Sequence, residues 1–280
     1  MTSTRAAREF TTEEGRWLIF DQGAQVVSWI PTGEQDVLWM SETAIIEPGR
    51  AVRGGIPICW PWFGPGRRSG MSPAHGFART ADWSFEGAEQ REDGLVARYR
   101  LDRALATSAV WPYAYEAMLE VHMGRTLSVE LAVTNLDESA FEFEEALHAY
   151  LRVGAADAVE IEGLDGCVYV DKTDDGSTKM QSGPVHLAGE VDRAYDSTGS
   201  ILLVDPGLGR RVRIAKSGSA STVVWNPGAD LAATMGDVAP GGWREFCCLE
   251  GGNVLANAVA LEPGQRQRMS VTISVDGVFS

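Results

Sequence analysis

Along most of this chain apolar and polar residues alternate one by one over short stretches, and glycine or proline ends each stretch. The 31 glycines and 12 prolines are spread along the sequence, so a helical pattern is cut off before it can gather several turns. In Arg125–Thr134, Leu127, Val129, Leu131 and Val133 fall on one face of an extended segment. Tyr113–Met123 is rich in aromatic and β-branched residues, and Gly124 separates the two segments, which predicts an antiparallel hairpin. Near the C-terminus Met269, Val271, Ile273 and Val275 alternate with Ser270, Thr272 and Ser274, giving a strand with one apolar face. The same reading places strands over Arg16–Phe20, Gln25–Ile30, Leu95–Leu101, Phe141–Tyr150, Ile201–Asp205, Arg211–Ala215 and Ser221–Trp225.

Helix signals are confined to single turns at Leu231–Met235 and Arg103–Ala109. No strand–helix–strand spacing is present, and Gly207–Arg211 lacks the glycine pattern of a nucleotide loop. The expected fold is all-β, a large antiparallel sandwich or barrel of about fifteen or more strands, because two coupled sheets are needed to bury so many half-apolar strands. A length of 280 residues fits one such domain over residues 1–280, with roughly the first 10–15 residues peripheral.

Charge narrows the function. With 24 basic against 39 acidic residues and a net charge of -15, the chain cannot neutralise a nucleic-acid backbone over a broad surface. No apolar run approaches the roughly 18 residues of a membrane span, and MTSTRAAREF carries no hydrophobic leader. The expectation is a cytoplasmic protein with neither a membrane nor a nucleic-acid partner. Cys59, Cys167, Cys247 and Cys248 form no metal or redox spacing. Cys247 and Cys248 are adjacent and point to opposite faces of a strand, so free buried thiols are expected.

One window departs from the acidic average. Pro48–Ala81 has no carboxylate but holds Arg50, Arg53, Arg67, Arg68 and Arg79, together with Trp60, Trp62, Phe63, His75 and Phe77. Its glycines and prolines point to ordered loops. Guanidinium forks match phosphate oxygens, and aromatic faces suit a sugar ring, so the window reads as a pocket. The competing reading is a solvated arginine patch over core aromatics. Elsewhere, His148 ends a strand-like run in EEALHAY and Glu250 follows FCCL. Histidine titrates near neutrality and can serve as acid or base. Taken alone, His148 reads first as a hydrogen-bonded core histidine and Glu250 as a turn or ion-pair carboxylate. No paired-histidine motif accompanies Glu142, Glu144 and Glu145, so no metal site is expected.

Six stretches together resemble the hexose-6-phosphate mutarotases, or glucose-6-phosphate 1-epimerases, of the aldose 1-epimerase (galactose mutarotase-like) superfamily. They are AVRGGIPICWPWFG at Ala51–Gly64, PAHGFAR at Pro73–Arg79, ALHAYLRVG at Ala146–Gly154, EVDRAYDS at Glu190–Ser197, VVWNPG at Val223–Gly228 and CCLEGGNV at Cys247–Val254. The resemblance implies a β-supersandwich that interconverts the anomers of a hexose 6-phosphate, with no cofactor and no obligate protein partner. It implies His148 as general acid and Glu250 as general base, His75 and Asp192 as contacts to sugar hydroxyls and ring oxygen, and Arg53 and Arg79 as anion-binding groups. Trp62 and Phe77 are candidates for shaping the sugar pocket. Arg67, Arg68 and Arg193 are candidates for completing a phosphate site, an extension beyond the resemblance. Gly251–Gly252 departs from the pattern and is expected to loosen the backbone beside Glu250. The alternatives are mutarotation of an unphosphorylated aldose and a non-catalytic carbohydrate-binding protein.

Overall fold

The computed structural model describes residues 6–68, 71–101 and 110–276. Among them lie 22 β-strands, one short α-helix at Gly228–Ala232 and four 3₁₀ turns. The short helix overlaps the turn expected at Leu231–Met235, while Arg103–Ala109 falls outside the described residues. All pairings between these strands are antiparallel.

Two large sheets dominate. The nine-stranded one runs in the order Val185–His186, Glu160–Glu162, Ile201–Asp205, Arg210–Ser217, Arg266–Asp276, Leu127–Asn135, Tyr115–Met123, Gly94–Leu101 and Ser84–Arg91. It contains the expected hairpin, with Met123 opposite Leu127. The eight-stranded sheet runs Ser177–Met180, Val168–Asp171, Val191–Asp196, Ser221–Asn226, Phe246–Asn253, Glu145–Leu147 and Ile58–Cys59, and Tyr150–Arg152 also pairs with Phe246–Asn253. Ala7–Thr12 is the edge strand of a smaller three-stranded sheet.

The apolar faces of the two large sheets meet in one core cluster. Leu147, Tyr195, Cys247 and Leu249 from one sheet join Leu127, Val129, Val271 and Ile273 from the other. Cys247 turns into this core and Cys248 away from it, against Trp39, Tyr150 and Phe246. All four cysteines are free. The strand expected over Phe141–Tyr150 is instead broken into Phe141–Phe143, Glu145–Leu147 and Tyr150–Arg152. The break has a physical cause: His148 and Tyr150 send their N–H groups to the carbonyls of Pro57 and Gly55, so a loop takes over the ladder bonds a neighbouring strand would have made.

Candidate active site

The register of the eight-stranded sheet brings together residues a hundred positions apart. Leu147 lies opposite Gly251 and Tyr150 opposite Cys248, which puts His148 opposite Glu250. Glu250 is therefore in the middle of its strand rather than at the end that the sequence suggested. On its other side it faces Val223, itself paired with Ala194, and the next row holds Asp192, Trp225 and Cys248. Side chains alternate along a strand, so all of these stand on the face turned away from the intersheet core. There they floor a cavity of about 510 Å³ lined by residues that include Arg53, Phe63, His75, Arg79, His148, Lys172, Asp192, Val223, Trp225, Glu250 and Leu255.

His148 Nε2 stands 3.3 Å from Glu250 Oε1. Both side chains are buried, Glu250 fully, yet neither oxygen of Glu250 nor Nδ1 of His148 has a protein hydrogen-bond partner. The His148 ring stacks on Tyr150 at 4.8 Å with 12° between planes. Burial pushes the Glu250 carboxyl well above the usual carboxylate range, an effect that Lys172 and Arg79 offset only in part and Asp192 reinforces. Burial also pulls the His148 imidazole well below its ordinary value, helped by His75, Arg79 and Arg53. The expectation of a histidine titrating near neutrality is thus corrected, because His148 is buried and has cations nearby. Both shifts run toward the neutral forms, a protonated carboxyl beside an uncharged imidazole.

The AHGFAR stretch is shaped around the cavity. His75 and Gly76 both adopt left-handed backbone angles, φ 64° and 73°. A Cβ on residue 76 would sit 2.0 Å from the Trp60 carbonyl oxygen, so glycine is obligatory. The following 3₁₀ turn, Ala78–Thr80, presents Arg79, whose Nη2 donates to the Ala74 carbonyl at 2.6 Å. His75 accepts at Nδ1 from the Gly64 N–H at 3.4 Å, which leaves the proton on Nε2 of the neutral ring. Burial, with Arg79, Lys172 and Arg53 acting in the same sense, lowers His75 to about 3.

Arg53 is braced on both sides, donating to Asp237 at 3.1 Å and to the Tyr150 hydroxyl at 2.9 Å. Burial opposes its charge, but Tyr150 and Asp237 more than reverse that and raise its pKa. Lys172 was not singled out from sequence. It pairs with Asp192 at 3.0 Å and lies 4.5 Å from the Phe63 ring centre. It continues the strand Val168–Asp171 beside Asp192, so the strand register would have identified it. Phe63 and Trp225 are the cavity-lining aromatics, both inside stretches that carried the resemblance.

Other candidates lie elsewhere. Trp62 and Phe77 do not line this cavity; they are buried and pack edge to face at 5.9 Å, supporting its wall from behind. Arg67 and Arg68 line a separate cavity of about 270 Å³ with Trp62, Met71 and Trp111, and Arg67 is paired with Glu142. Arg193 adjoins Asp192 and therefore faces the other way, over Tyr169 and 3.9 Å from Asp171. Gly251 and Gly252 do not loosen Glu250. Both are paired with strands on either side, and an added Cβ would lie 2.6 Å from Val271 Cγ2 or 2.7 Å from the Glu145 carbonyl oxygen. They are places of close approach between neighbouring elements. Among the described residues no three His, Cys, Asp or Glu side chains converge as a metal-ligand set, and no helix is long and apolar enough to cross a membrane.

Comparison with known proteins agrees with this architecture. The chain is 33% identical over 231 residues to an Escherichia coli protein named "Putative glucose-6-phosphate 1-epimerase", a match that spans 82% of this chain and 76% of the relative. A solved structure described as a "putative mutarotase" from Salmonella typhimurium superposes with a TM-score of 0.89 at 30% identity, covering 96% of this chain and 90% of the other. A galactose mutarotase-like protein from Lactobacillus casei shares the fold with a TM-score of 0.77 at 16% identity, covering 97% and 100% of the two chains. The sequence profile of the aldose 1-epimerase family matches residues 9–274, and the chain belongs to that family.

Proposed function

We propose that the protein interconverts the α and β anomers of a D-hexose 6-phosphate, glucose 6-phosphate first among them. The observation that carries this reading is Glu250: a wholly buried carboxylate with no protein hydrogen-bond partner on either oxygen, 3.3 Å from a buried histidine at a cavity. Such a group costs several kcal/mol of folding free energy, and its placement makes sense as chemistry. The two oxygens of a hemiacetal, O1 and ring O5, share carbon C1. An acid and a base that serve both must stand close together, as this pair does.

Ring opening proceeds from the tautomer with the pair's single proton on His148: Glu250 takes the proton of the O1 hydroxyl while His148 gives its proton to O5. The C1–O5 bond breaks, its electrons go to O5, and C1 becomes an aldehyde. Rotation about C1–C2 presents the other face, and closure returns both protons. The one-proton pair thus cycles between its two tautomers, and no redox equivalent is consumed. His75 Nε2–H and Asp192 contact ring substituents, with Trp225 and Phe63 as apolar walls. Arg53, Arg79 and Lys172 supply the cationic side for the phosphate, which orients the ring without reacting.

The test is exchange spectroscopy by NMR between the two anomers, with spontaneous exchange subtracted. The expected result is strong acceleration for a hexose 6-phosphate and a weaker effect on its parent hexose. Equal acceleration of both would reassign the substrate to the unphosphorylated aldose. Binding without acceleration would make the protein a carbohydrate-binding module.

A further inference from the structure

Glu144 is a buried carboxylate that takes no part in the proton transfers, and its contacts reach two segments of the cavity lining. One oxygen accepts from the Phe63 N–H at 3.1 Å and the other from the Leu255 N–H at 2.7 Å. These two backbone segments come from opposite ends of the sequence, and both line the cavity. Leu255 is held at φ 55°, a left-handed conformation that leucine rarely adopts unless its surroundings impose it. Arg67, anchored by Glu142, donates to the Leu255 carbonyl at 3.2 Å. The residue is therefore gripped at its N–H by one side chain and at its C=O by another.

Phe63 passes this order inward. Its ring meets His75 edge to face at 4.7 Å and lies under the Lys172 ammonium at 4.5 Å. His148 and Glu250 are fixed differently, by the register of the central sheet. We propose that Glu144 is a positioning residue: it clasps the Phe63 loop to the Leu255 loop and so holds the cavity mouth, His75 and Lys172 in the geometry that accepts substrate. This rests on the reading of the cavity as a hexose-phosphate site. The structure gives Arg67 an outer part in the same clasp.

Because the clasp orders binding groups and leaves the reacting pair alone, its loss raises KM and spares kcat. Glu144→Gln keeps the shape but sets an amide N–H₂ against a backbone donor. The expected result is a KM about tenfold higher, as for one charge-assisted hydrogen bond, with kcat per folded molecule within about twofold. The Phe63 and Leu255 amides should also exchange hydrogen about tenfold faster. Arg67→Gln, at an exposed site, should raise KM by about threefold for the 6-phosphate and the parent hexose alike. Lower stability with KM and amide exchange both unchanged in folded Glu144→Gln would overturn the clasp. So would an Arg67→Gln effect confined to the phosphorylated sugar, which would make Arg67 a phosphate ligand, and this variant decides the matter if Glu144→Gln does not fold. Should the wild-type protein accelerate no anomer exchange, the functional reading falls, and the amide exchange rates alone judge the clasp: faster in Glu144→Gln supports it, unchanged refutes it.

Discussion

At Glu250 and His148 the chemistry can be removed with almost no change of shape. His148→Asn and Glu250→Gln should each lower kcat by about 10²–10⁴-fold, the usual range for one acid–base group. Circular dichroism should show the β fold intact, and near-wild-type exchange in both variants would sink the mechanism. The pH profile follows from the directions of the two shifts. Burial lowers the imidazole and raises the carboxyl, so the two-proton form gives way at low pH and the no-proton form appears only at high pH. Both directions favour the one-proton form, and kcat should be flat through neutrality. A narrow bell between the ordinary glutamate and histidine values would contradict it. Of the residues named from sequence, Arg53, His75, Arg79, Asp192, His148 and Glu250 converge on the cavity. Trp62 and Phe77 do not, because in a loop rich in aromatics composition cannot say which ring faces the ligand and which faces the core. Lys172 and Trp225 were not assigned to the site because each is ordinary by itself and becomes informative only beside its cross-strand neighbour.

Strands were legible as elements, but of their partners only the hairpin neighbour across Gly124 was. Alternation at Leu127–Val133 and Met269–Val275 survives as paired strands of the large sheet, since one buried face is a local property of a segment. The breaks at Glu144 and at His148–Ala149 go with N–H groups of Glu144, His148 and Tyr150 sent to the carbonyls of Pro61, Pro57 and Gly55, which no local pattern encodes. The short strand between the breaks holds a second buried acid. Glu145 accepts from Asn253 Nδ2 at 2.8 Å. Burial raises it from 4.5 to about 7, against opposing hydrogen bonds from Asn253 and Gln267. A folded-state value above the unfolded one means that stability is full below the ordinary glutamate value and is lost as pH rises through about 7. The displacement is equivalent to about 3 kcal/mol. Glu145→Gln should gain stability relative to wild type as pH climbs through that window, as read by urea titrations at fixed pH values. A constant difference across it would show that Glu145 stays ionised in the fold.

Over the whole molecule, one apolar cluster draws on both large sheets, and we propose that the chain folds as a single domain. Urea or thermal unfolding should then be one transition, with intrinsic fluorescence and far-ultraviolet dichroism coincident and a calorimetric to van't Hoff enthalpy ratio of about 1. Two resolved transitions would divide the chain into two units. The net charge of -15 sits alongside a cavity that gathers Arg53, Arg79 and Lys172. An anionic sugar therefore meets net repulsion from the chain as a whole and local attraction at these three cations, and raising ionic strength weakens both effects.

The opposition of His148 and Glu250 across two antiparallel strands has a consequence for which changes of length the gene can survive. A shift of one residue in either strand sends its side chains to the other face. Deleting a single residue between Leu147 and Tyr150, or within Phe246–Asn253, would turn one partner toward the core. Residues inserted into an exposed hairpin turn such as Arg125–Thr126 leave that parity untouched. The tolerance of this protein to insertions and deletions is thus graded by parity along these two strands, more sharply than by distance from the cavity.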